Sequence, residues 1–278
     1  MKKSIIYSLL IVLAAFYACD PIETRDDNDQ PITAEELQIS ATPVVVNGKN
    51  SNKIVLENHS PVLSAWDYGV GISYKAADTV TLVVVGTTNI KFTGLNPDGS
   101  YLTKEIPVTV DELSFYVAPE WGYLCGTGEK TWVWDDTDGQ AVWGNGGYKG
   151  CAAPCWWTVS KTDIEGQDPT YGSEGYMVFS LSGASLTKSN ASGSNHSVGS
   201  FSFNMNKTTL DDGGNVWAKG KLTTKNVTVL AGFQPNGGGA PVNEYDILQL
   251  DNDKMYLAWP EPGAGSWGTA WFWMFKKK

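Results

Sequence analysis

Beyond residue 36 no stretch of this chain sustains the 3.6-residue apolar period of an amphipathic helix. Short runs of β-branched and aromatic residues alternate instead with turns rich in Gly, Asn and Asp. The 30 glycines and the 12% aromatic content fit the same pattern, because glycine supplies turns and aromatics favour a pleated, half-buried surface. The expectation is an all-β protein, and 278 residues allow one large or two modest domains.

The strand signals fall into two groups. In residues 36–117 they are 53–56, 79–85, 90–93 and 106–110, separated by turns such as Asn47-Gly48 and Asn96-Pro97-Asp98-Gly99. This spacing predicts a small β-sandwich. At its centre lies Ala65-Trp66-Asp67-Tyr68-Gly69-Val70-Gly71, with Asn52-Lys53 before Ile54-Val55-Leu56 and Asp78-Thr79-Val80 after. These residues resemble the signature of PKD domains, which are Ig-like modules; Val70 replaces the usual Asp. The resemblance implies an Ig-like sandwich acting as a spacer, with Trp66 plugging its core.

Residues 118–278 hold eleven of the twelve tryptophans. Strand signals there are 131–134, 176–181, 200–205, 216–222, 227–230, 245–250, 254–259 and 270–275. They predict an antiparallel β-sandwich or barrel of about eight strands. The hairpin 245–259 resembles the late strands of lipocalin-like barrels. From Lys130-Thr131-Trp132-Val133-Trp134 to Trp271-Phe272-Trp273-Met274-Phe275, the segment's layout is similar to the C-terminal domain of PKD-containing surface lipoproteins of starch-utilisation-like glycan-uptake systems.

The N-terminal residues supply an address. Lys2 and Lys3 precede an apolar run from Ile5 to Ala18 and then Cys19. The run is short of the ~20 residues of a membrane span and reads as a secretory signal, residues 1–18. Phe16-Tyr17-Ala18-Cys19 resembles a bacterial lipobox, which implies lipidation at Cys19 and membrane attachment through acyl chains alone. Residues 19–35 read as an acidic tether, with Asp20, Glu23, Asp26, Asp27 and Asp29 near its start. Acidic residues after a lipidated cysteine resemble the surface-export signal of gut-type Gram-negative bacteria and imply an outer-membrane, cell-surface location. Loss of residues 1–18 removes two lysines and no acid, taking the formal charge from −10 to −12. Such a chain is a poor nucleic-acid partner.

Three cysteines remain, Cys125, Cys151 and Cys155. In an oxidising compartment they predict one disulfide and one spare thiol. Cys151 and Cys155, separated by Ala152-Ala153-Pro154, are the first choice, although sequence equally allows Cys125 with either. A zinc site has too few ligands. Asp135, Asp136 and Asp138 form an acidic turn that could take a structural calcium but lacks the full calcium-loop pattern. No other cofactor is expected.

Trp132, Trp134, Trp271 and Trp273 read as packing residues on strands. Trp143, Tyr148, Trp156, Trp157 and Trp267 lie among glycines or beside the cysteine loop, where they read as exposed faces for stacking on pyranose rings. No nucleophile, metalloprotease or phosphate-loop motif is present, and Asp163, Glu174 and Glu261 cannot be paired from sequence. The expectation is a non-catalytic, surface-exposed glycan-binding lipoprotein with no catalytic residues. Its partners would be polysaccharide or oligosaccharide and an outer-membrane glycan transporter system. The alternatives are a glycoside hydrolase on the C-terminal domain, or a structural or adhesion lipoprotein with a lipocalin-like domain.

Overall fold

The computed structural model describes residues 30–278; the signal, Cys19 and most of the acidic tether lie outside the described residues. The described chain is all-β, with only short helical turns. No helix among the described residues is long and apolar enough to cross a membrane.

The first seven strands are β1 (Ile39–Val46), β2 (Lys49–Asn58), β3 (Leu63–Asp67), β4 (Ile72–Ser73), β5 (Ala77–Thr81), β6 (Gly86–Leu95) and β7 (Tyr101–Val110). They form a three-stranded sheet, β1-β2-β5, and a four-stranded sheet, β4-β3-β6-β7. Both contribute to one hydrophobic cluster, with Ile54 and Leu56 from β2 meeting Trp66, Ile90, Phe92 and Val108. Alternation along β2 buries Ile54 and Leu56 while Lys53 and Val55 stay half-exposed. Trp66 is fully buried, meets Phe92 edge-on at 4.5 Å and donates its indole N–H to the Lys75 carbonyl. The chain is already fixed ahead of residue 36: the Ile32 backbone exchanges two hydrogen bonds with the Asn96 side chain.

A short helix, Glu120–Cys125, leads into the remaining strands. These are β8 (Glu129–Trp134), β9 (Trp143–Gly147), β10 (Trp157–Val159), β11 (Tyr176–Ser180), β12 (Ser185–Ser189), β13 (His196–Asn204), β14 (Thr209–Leu210), β15 (Val216–Ala218), β16 (Gly220–Lys225), β17 (Glu244–Leu250), β18 (Lys254–Pro260) and β19 (Thr269–Lys277). Eight of them close an antiparallel barrel in the order β8-β11-β12-β13-β16-β17-β18-β19. One edge of β19 is divided: residues 269–273 pair with β9, and residues 275–277 pair with β8 and close the ring. β9 and β10 therefore run off the barrel as a flap, and β14 with β15 forms a separate hairpin.

Side chains fill the barrel. Trp132, Trp134, Met177, Phe179, Leu186, Leu222, Tyr245, Leu257, Trp273 and Phe275 all lie in one buried cluster. They pack as the interior of a small barrel. Three expected strands need correction. The run 79–85 ends its strand, β5, at Thr81. Residues 227–230 form no strand; they belong to the β16–β17 connection, where burial from several sides mimics a strand's apolar run. The run 216–222 divides between β15 and β16.

Candidate functional site

The flap is built by close approach of backbones. A side chain at Gly144 would strike the Trp157 carbonyl, its Cβ falling 2.1 Å away, so only glycine lets β10 lie against β9 here. Cys151 and Cys155 are joined, with Cα atoms 6.4 Å apart, and Cys125 is free and buried. The Cys155 and Trp156 N–H groups both donate to the Asn145 carbonyl, and the Trp157 N–H donates to Asn145 Oδ1. Trp217 Nε1 donates to the Cys151 carbonyl at 2.8 Å. The disulfide loop is thus held at both ends.

Five aromatics were expected on the surface, and the structure separates them. Trp156, Trp157 and Trp267 are 52%, 41% and 59% exposed. Tyr148 is half-buried, edge-on to Trp217 at 5.1 Å. Trp143 is fully buried and is not a surface residue. Its glycine neighbours do not form a loop; they form β9, whose pairing with β19 turns Trp143 inward. There it stacks on Trp271 at 5.0 Å and meets Phe233 at 5.4 Å. The expected packing residues Trp132, Trp134, Trp271 and Trp273 are all buried.

Strand alternation places the exposed indoles. Trp143, Asn145 and Gly147 share one face of β9. Trp157 on β10 and Trp271 on β19 both pair with Asn145 and share that face. The Trp267 indole lies against Gly147 and Gly150, where a Cβ on either would come within 2.5 Å of it. Its loop is tied to the flap by Trp267 N–H to Tyr148 O and Tyr148 N–H to Gly268 O. Trp157, opposite Asn145, and Trp267, over Gly147, therefore lie on one face of β9.

Polar groups meet the Trp271 indole, on the same face. Glu261 Oε1 accepts from Trp271 Nε1 at 3.0 Å and from Asn236 Nδ2 at 2.8 Å. Glu261, Asn236, Gln234 and half-buried Trp259 line a cleft of about 240 Å³. Trp259 pairs with Trp271 across β18 and β19, so it belongs to the same face. Sequence reading missed Trp259, Asn236 and Gln234. The available signal was the long β16–β17 connection with its Gln234-Pro235-Asn236-Gly237 turn.

Two of the acidic side chains, Asp136 and Glu174, share one cleft, and the others lie apart from it. Asp135 is buried and bonded to Thr137, Tyr256 and Lys254. Asp136 pairs with Lys276 and Lys161, and Lys161 also binds Glu174 at 3.0 Å. Asp136, Lys161 and Glu174 line a polar cleft of about 450 Å³. There the Lys276 hydrogen bond holds the Asp136 carboxyl below its ordinary value. Asp163 accepts the Ser160 hydroxyl, and Glu261 belongs to the other cleft. Burial does raise the Asp246 carboxyl, but it is fully enclosed, held by Lys221 and by Thr209 of β14. Among the described residues no group of three or more His, Cys, Asp or Glu could hold a metal ion. No protein-family model matches the chain, and no curated protein matches it.

Proposed function

We propose that this protein is a non-catalytic glycan-binding lipoprotein, anchored through Cys19 at the outer-membrane surface, that captures polysaccharide or oligosaccharide for a neighbouring transporter. The observation that carries the reading is the pair of exposed indoles, Trp157 and Trp267, on one face of β9, the face that also holds Trp271 with Glu261 and Asn236 bonded to it in turn. Flat apolar faces suit the C–H-rich side of a pyranose, while carboxylate and amide groups take its hydroxyls.

The first seven strands support an Ig-like, PKD-type spacer: sheets β1-β2-β5 and β4-β3-β6-β7 about one core are the arrangement such a module would have. In this reading the tether and spacer carry the barrel away from the membrane. The test is an affinity screen of the lipid-free mature chain against plant, host and microbial polysaccharides. Binding that falls in both Trp157→Ala and Trp267→Ala, with unfolding midpoints retained, supports the proposal. Absence of binding, or binding that both variants retain, refutes it.

A further inference from the structure

A third cleft borders the 233–241 loop. It measures about 200 Å³ and is lined by Asp168, Tyr171, Lys188, Thr228 and Phe233 among others. Lys188 projects from β12 and is only 8% exposed. Its Nζ donates to Thr228 Oγ1 at 2.8 Å and the Val229 carbonyl at 3.3 Å, and sits 4.3 Å from the centre of the Tyr171 ring. All three contacts are with uncharged groups. Among the described residues no carboxylate stands within the 4.0 Å ion-pair distance of it. Asp168 lies on the neighbouring loop, and its Oδ2 accepts the Ala231 N–H at 2.9 Å.

A buried ammonium without a contacting anion is an expensive feature. Burial pushes Lys188 down to about 8, and the Asp168 charge offsets this only in part. Asp168 and Tyr171 are the titratable groups lining the cleft with it; across the flanking strands Lys188 pairs with Met177 and Ser197. The charges define what could fill the cleft. A simple carboxylate would meet Lys188 but be opposed by Asp168. A neutral sugar would offer Asp168 hydroxyl donors but leave the ammonium without an anion. A sugar acid offers both, with a ring face for Tyr171 or Phe233, and the cleft lies below the ~300 Å³ of drug-sized sites.

We propose that this cleft binds one uronic acid residue of a glycan, its carboxylate on Lys188 Nζ and a ring hydroxyl on Asp168. The inference rests on the glycan reading above and names the class of glycan. The test uses calorimetric titration of the mature chain with oligogalacturonate, its methyl ester and neutral oligosaccharides. Esterification removes the anion without altering the protein. The acid should bind about tenfold or more tightly than the ester, the scale of a charge-assisted hydrogen bond. Lys188→Met should abolish that preference. Equal binding of acid and ester, or a preference that survives Lys188→Met, overturns the inference. Neutral binding that Trp157→Ala abolishes, with no preference for acid, overturns it while leaving the glycan surface in place. Acid-selective binding that Trp157→Ala does not affect sustains the Lys188 site and counts against that surface. If no saccharide binds, both fall.

Discussion

Lys188 gives a stability prediction that needs no ligand. In the unfolded chain its amine has an ordinary lysine value near 10.5, and burial depresses it to about 8 in the folded protein. Below pH 8 both states carry the proton, and the folded state bears the full penalty. Between about pH 8 and 10.5 the unfolded state binds more protons, so stability rises with pH. The gap of about 2.5 units corresponds to about 3 kcal/mol at 1.36 kcal/mol per unit. Lys188→Met removes the titration and keeps most of the apolar stem. Its former acceptors stay engaged, because Thr228 Oγ1 donates to the Val229 carbonyl at 3.0 Å. The variant should therefore be more stable than the parent at pH 7, and the difference should close by about 2–3 kcal/mol between pH 7 and 10. Urea unfolding of both proteins across that range measures it. A Cys125→Ala background prevents the thiol, released on unfolding, from attacking the Cys151–Cys155 bond. Parallel stability curves would show that the Lys188 amine is not depressed and would remove the electrostatic argument for an anion.

The indoles divide by role. Trp157→Ala and Trp267→Ala should weaken glycan binding by about 1–3 kcal/mol, while Trp143→Ala should cost about 3–5 kcal/mol of stability through a core cavity; calorimetry and thermal unfolding on the same samples separate the two effects. Burial alone would raise the Asp135 carboxyl, but Thr137, Tyr256 and Lys254 hold it down at about 2. Its contribution is present above the ordinary aspartate value and is lost as pH falls through about 2, so Asp135→Asn should flatten part of the acid limb of a stability profile. Cys19→Ala should release the protein from the membrane fraction, and unchanged membrane partitioning would refute the lipidation reading.

How much of this was legible in the sequence follows from which contacts are local. The β17–β18 hairpin could be read because its alternation is clean and Asp251-Asn252-Asp253 marks the turn. β9 could not, because three of its five residues are glycines that signal a loop by composition while serving close packing in space. β12 has little apolar pattern, with serines at both ends and Lys188 turned inward. Barrel closure depends on β19 dividing one edge between β9 and β8, and no short-range signal encodes a shared edge. Glu261 and Asn236 stand 25 residues apart and meet only because both flank the end of the barrel.

The density of tryptophan is therefore not itself the mark of a binding site. Trp132 Nε1 donates to Leu124, Trp134 to Gly172, Trp217 to Cys151 and Trp273 to Ala231, in each case to a backbone carbonyl. Each indole reaches from a strand to a helix or loop and satisfies its one donor there, as a buried N–H requires. The segments fixed in this way are the short helix, the loop bearing Asp168 and Tyr171, the disulfide loop and the 226–243 connection. Two of these four, the loop bearing Asp168 and Tyr171 and the 226–243 connection, carry groups proposed above for sugar recognition, and the disulfide loop leads into Trp157. Core indoles and surface indoles thus belong to one arrangement. Trp132, Trp134, Trp217 and Trp273 hold the connections at fixed positions, and under the proposed glycan reading the exposed pair, Trp157 and Trp267, would gain from that rigidity, because a preformed platform loses little entropy when a ligand settles on it.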